Sequence, residues 1–175
     1  LEFLISNLRL FPAHFWVTPQ NKLDIALENI KLELQEQLKV LKRSGKLLEA
    51  QRLKQRTNYD LEMLKEIGYC HGVENYSGHL EFRKPGQAPY TLISYYSDDF
   101  LVFIDESHMT LPQLHAMAIQ DRARKDVLIE YGFRLPSAID NRPLKFPEFE
   151  DRAKQVVFVS ATPGQYEMSK IRNPN

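Results

Sequence analysis

Apolar residues recur at Leu23, Leu27, Ile30, Leu34, Leu38 and Leu41, spaced by threes and fours. That spacing lays one continuous stripe along a helix. Thr18-Pro19 is a suitable start, with Thr18 as cap and Pro19 at the first helical position. Ser44-Gly45 breaks the pattern, and a second stripe follows at Leu47, Ala50, Leu53, Leu61, Leu64 and Ile67 until Gly68 stops it. Two helices joined by so short a turn are expected to lie antiparallel as an αα-hairpin. Their stripes form a core, and a two-helix unit leaves some apolar flank uncovered.

Beyond Gly68 the pattern changes. A short helix is expected near Glu74–Phe82, then a loop carrying Pro85, Gly86 and Pro89. Phe100-Leu-Val-Phe-Ile104 is five apolar residues in a row, which reads as a strand buried on both faces. An exposed helix around Gln113–Tyr131, a loop through Pro136 and Pro143, and a short helix near Pro147–Lys154 follow. Val156-Val-Phe-Val159 is a second strand of the same type. The intervening stretch is long enough for the helical crossover that a parallel pair requires, so both strands should end at one edge of one sheet. The expected class is α/β, with an αα-hairpin ahead of the parallel strands.

Composition narrows the function classes. The 175 residues are 43% apolar and 26% charged, as in a globular protein. Lys plus Arg equals Asp plus Glu at 23 each, so nothing global draws the chain to nucleic acid or a membrane. The lone Cys70 excludes an internal disulfide and fits a reducing, cytoplasmic setting. No stretch approaches a membrane span. The chain begins without Met and reads as a piece of something longer.

The chemistry concentrates where the first strand ends, at Asp105-Glu106-Ser107-His108. Ligands of open α/β sheets sit beyond the carboxyl ends of the strands. An Asp-Glu pair there suits a nucleoside triphosphatase, with Asp105 serving Mg²⁺ and Glu106 orienting the water that attacks the γ-phosphate. A glycosidase-like acid/base pair fits poorly, because it needs two carboxylates facing one substrate. Cys70, His71 and His79 lack a fourth ligand and a metal-site spacing, and no metal is assigned to them. Arg122, Arg124 and Lys125 alternate with Asp121 and Asp126 and read as a solvated helix face. Arg52, Lys54 and Arg56, with Arg134 and Arg142 in the later loop, are the candidates for DNA contact.

Asp105-Glu-Ser-His108 and Ser160-Ala-Thr-Pro163 resemble motifs II and III of superfamily 2 helicases. More particular segments resemble the UvrB family of bacterial nucleotide excision repair: Leu47-Leu-Glu-Ala-Gln-Arg-Leu53, Gln55-Arg-Thr57, Tyr59-Asp-Leu-Glu-Met-Leu64, Glu74-Asn-Tyr-Ser77, Tyr131-Gly-Phe-Arg-Leu-Pro136, Asp140-Asn-Arg-Pro143 and Tyr166-Glu167. The resemblance runs from about Phe11 to Met168. The resemblance implies a partial RecA-like P-loop helicase domain with the helical insert beside a DNA channel. It implies the divisions 1–18 as an entry segment, with residues 1–10 matching the tail of a UvrA-docking domain, 19–97 as the helical insert, and 98–175 as the later half of the RecA-like domain. It implies ATP and Mg²⁺ as cofactors, and DNA, UvrA and UvrC as partners. It assigns Ser107, His108, Ser160 and Thr162 to coupling nucleotide state to motion.

Two departures accompany it. Ala116-Met-Ala-Ile-Gln-Asp-Arg122 stands where the family commonly has Gly-Met-Tyr-x-Gly-Asp-Arg. No Gly-x₄-Gly-Lys-[Ser/Thr] phosphate loop can be assembled from the seven glycines, so the chain is expected to hold half of a catalytic site and complete none. The competing expectations are a non-catalytic module whose hairpin docks a partner, and a segment of another superfamily 2 helicase.

Overall fold

The computed structural model describes residues 19–172. The expected lead-in and the Thr18 cap lie outside that range. Helix α1 (Gln20–Arg43) starts with Pro19 just outside it, whose carbonyl accepts Lys22 and Leu23 N–H. Gly45 ends the turn after α1 at φ +73°, a conformation that strains any residue with a Cβ. Helix α2 (Leu47–Ile67) returns alongside α1, and Gly68 closes it by donating to the Leu64 carbonyl.

The stripes meet as expected. Leu23, Leu27, Ile30, Leu34 and Leu41 are buried against Ala50, Leu53, Leu61 and Leu64. The ends of the second stripe are not part of this core, for Leu47 and Ile67 are each 66% exposed. The expected short helix divides into a 3₁₀ turn (Val73–Tyr76) and the single turn α3 (Ser77–Leu80). Both cap the open end of the hairpin through Val73, Tyr76 and Leu80.

Strand β1 (Leu101–Ile104) pairs in parallel with β2 (Gln155–Phe158), Phe103 opposite Val157 and Ile104 opposite Phe158. The crossover holds α4 (Ser107–Glu130), a 3₁₀ turn (Pro136–Asp140) and α5 (Phe146–Arg152), and α6 (Gln165–Arg172) follows β2. Two expectations are corrected here. The sheet is covered on one face only among the described residues: Ile104 is buried with Val102, Val156 and Phe158 packed beside it, under Leu111, Phe146 and Tyr166. Leu101, Phe103, Val157 and Val159 remain exposed on the other. A continuous apolar run therefore signals a strand, but not which neighbours cover it. Helix α4 also starts six residues before Gln113. Pro112 lies inside it, where the missing N–H removes only one early backbone bond.

The crossover returns to the hairpin. Leu135 is buried in the helical core, and Ser137 donates through its N–H and Oγ to Glu33 of α1, both at 2.7 Å. Gly132 packs so tightly on α2 that a Cβ would lie 2.3 Å from the Glu49 carbonyl oxygen. The two expected units thus share a closely fitted seam.

Candidate nucleotide site at the sheet rim

Because β1 and β2 run parallel, their carboxyl ends open onto the same rim. Asp105 and Glu106 form the turn between β1 and α4, and both are exposed. Asp105 Oδ1 accepts the Glu106 N–H at 3.0 Å, which fixes one carboxylate oxygen. Glu106 adopts the left-handed conformation at φ +45° and ψ +51°. For a non-glycine residue this costs about 1–3 kcal/mol and persists only where its neighbours over-determine it. The Glu106 carbonyl then accepts Met109 and Thr110 N–H, which opens α4. The turn thus places both carboxylates at the amino end of a 24-residue helix, where negative charge is favoured.

The second strand meets this turn at several points. Ser107 N–H donates to the Val159 carbonyl at 3.0 Å. Ser160 Oγ lies 2.8 Å from His108 Nδ1, and Glu106 Oε2 lies 3.4 Å from the same nitrogen. Ser160 Oγ also accepts the Thr162 N–H at 3.1 Å. Asp105, Glu106, Ser107, His108, Ser160 and Thr162 are therefore gathered at one place, although a crossover of fifty-odd residues separates the two motifs.

One participant escaped the sequence reading as a site residue. Glu167, on the first turn of α6 and only 3% exposed, accepts from Ser107 Oγ at 2.7 Å and from Gly164 N–H at 3.1 Å. The Ser107 hydrogen bond is the main reason its carboxyl is held below the usual range. The available signal was spacing: an acid three residues after a helix-capping Gly reaches back to the cap N–H.

The basic candidates lie elsewhere. Arg52 donates to the Tyr131 carbonyl at 2.6 Å and stacks 4.3 Å over the Phe133 ring, so it serves the seam. Arg56 binds both Asp60 oxygens and the His71 carbonyl, and the Asp60 carboxylate raises its pKa. Lys54 is exposed on α2. Arg134 is half-buried and donates to the Phe133 carbonyl. Arg142 is buried and spends its donors on Glu148, Pro143 and Gly86, which ties α5 to the loop after α3. Arg122 and Arg124 pair with Asp126 and Asp121, while Lys125 is buried beside Asp121 and the Asn141 carbonyl. His79 bonds Glu33, and Cys70 is buried in the helical core, its thiol pushed up to about 12 by burial.

Residues 21–82, from α1 to the turn after α3, match the UvrB third helical domain. UvrABC system protein B of Oceanobacillus iheyensis is 61% identical over 163 residues, which are 93% of this chain and 25% of that protein. The protein of the same name from Chloroflexus aggregans is 61% identical over 171 residues, 97% of this chain and 26% of its own length. That of Staphylococcus aureus is 62% identical over 163 residues. The chain is a UvrB-type segment. It spans about a quarter of the length of these relatives. The UvrB helical domain coincides with the hairpin and its cap, while the rim motifs lie in the remainder. Where the UvrB-like pattern calls for two glycines, Ala116–Arg122 is uninterrupted helix within α4.

Proposed function

We propose that this chain supplies the motif II and III half of an ATP-hydrolysing site in a UvrB-type, cytoplasmic DNA-repair protein. In this reading β1, α4 and β2 belong to a RecA-like domain, and the hairpin flanks a DNA channel. DNA, UvrA and UvrC are the partners, as the relatives' name suggests. The observation that carries the proposal is the meeting of the Asp105–His108 turn with Ser160 at the carboxyl ends of two parallel strands.

The donor set fits a hard divalent ion. Asp105 presents a carboxylate to solvent, and among the described residues neither it nor Glu106 is paired with Lys or Arg. Asp105 would hold Mg²⁺, which when bound neutralises phosphate charge. Glu106 would orient the attacking water and accept its proton. His108, bridging Glu106 and Ser160, couples the turn to the loop after β2.

In the intact protein, Glu106→Gln is expected to lower ATP turnover by about 10²–10⁴-fold, as for loss of a general base, while nucleotide binding persists. Turnover equal to the parent would overturn the assignment.

A further inference from the structure

Ser107 follows the turn after β1, Gly164 lies in the loop after β2, and one buried carboxylate binds both. Glu167 gives one oxygen to Ser107 Oγ and the other to Gly164 N–H. Ser107 is fully buried, follows Glu106 directly, and is held a second time by the Val159 carbonyl. Backbone freedom at Glu106 is thus bounded on both sides. Asp105 is fixed by β1 and by its bond to the Glu106 N–H, and Ser107 is fixed by β2 and α6.

The two side-chain ties between the turn and the later loop differ in kind. His108–Ser160 lies at the partly open rim. Ser107–Glu167 is buried, where water cannot compete for the bond and a charged acceptor strengthens it. Burying a carboxylate is unfavourable unless its oxygens are satisfied. Among the described residues no Lys or Arg pairs with Glu167, so the two donors carry that compensation.

We propose that Glu167 is a positioning residue: by binding Ser107 and Gly164 together it sets the direction of Glu106 relative to the Ser160–Thr162 loop. Hydrolysis then depends on a carboxylate that touches neither nucleotide nor metal. The proposal rests on reading Glu106 as the residue that orients water. It adds that the αL turn is aimed by α6 as well as by the strands.

The test compares Ser107→Ala and Glu167→Gln in the intact protein, each alone and combined with Glu106→Gln. Ser107→Ala deletes one hydroxyl, so it decides the matter if Glu167→Gln fails to fold. Each single variant is expected to lower kcat for ATP by about 10-fold or more with KM within about twofold, because a misaimed group loses rate more than affinity. In the Glu106→Gln background, single-turnover rates should show no further loss from either change. An equal fractional loss in both backgrounds would mean general structural damage and would overturn the proposal. Unchanged kcat in Ser107→Ala, beside an inactive Glu106→Gln, would overturn the positioning role and leave the site reading intact. Full turnover by Glu106→Gln would bring down both.

Discussion

In the hairpin, Leu27, Ile30 and Leu34 of α1 are hidden by Ala50, Leu53 and Leu61 of α2, so each stripe finds its cover within the same unit. In the sheet, Val102 and Ile104 are covered by helices while Phe103, directly between them, is 66% exposed. Both patterns arise from apolar positions plainly marked in the sequence. The difference is what each segment has to pack against: a helix stripe needs one neighbour, whereas a central strand needs two layers. Reactive groups follow the same division. Polar side chains of the hairpin region, such as Arg56 and Asp60, satisfy each other, whereas Asp105 and Glu106 at the sheet rim face solvent.

That contrast can be tested by substitution. Leu53→Ala removes a side chain that is 1% exposed at the centre of the hairpin. It should cost about 2–5 kcal/mol, read as a lower urea midpoint; a loss below about 1 kcal/mol would show that the hairpin core is not where stability resides. A smaller effect is expected where α5 meets the loop carrying Gly86. Arg142 holds the Glu148 carboxyl down at about 2, against an ordinary 4.5. A depressed folded-state pKa gives stability that is fully present above pH 4.5 and lost as pH falls toward 2. The melting temperature of the parent should exceed that of Glu148→Gln by a constant margin above pH 4.5, and the margin should shrink through this window. A margin independent of pH would place the effect elsewhere. The smallest change is expected at Phe103→Thr on the bare sheet face, within about 0.5 kcal/mol, since little buried area is lost. A loss comparable to that of Leu53→Ala would mean that this face is covered in solution.

Much of the fold was legible because helical spacing is redundant. Six residues on α1 and six on α2 repeat the same signal, and Gly45 and Gly68 punctuate it. The two strands and their parallel pairing followed from apolar runs and the length of chain between them. Coverage of the sheet did not, because Leu101 and Phe103 read the same whether or not anything lies over them. The helix expected near Gln113 began too late, because the left-handed Glu106 that starts α4 leaves no mark in composition. At the site, Asp105 and Glu106 stood out through clustered chemistry at a strand end, and His108 and Ser160 through the resemblance to helicase motifs II and III. Glu167 did not, since an isolated acid near a chain turn resembles any surface residue. Arg142 misled in the opposite direction: a guanidinium in a loop reads as available, but Glu148 and two carbonyls consume it.

Helix α4 begins at Ser107 against the strand ends and finishes at Glu130, which is bonded to Lys46 in the turn of the hairpin. At 1.5 Å per residue its 24 residues make a strut of roughly 36 Å. With no glycine along its length, the strut has little capacity to flex in the middle. A tilt of the hairpin is therefore carried along the rod from Glu130 as far as Pro112, a turn and a half from the residue beside Glu106.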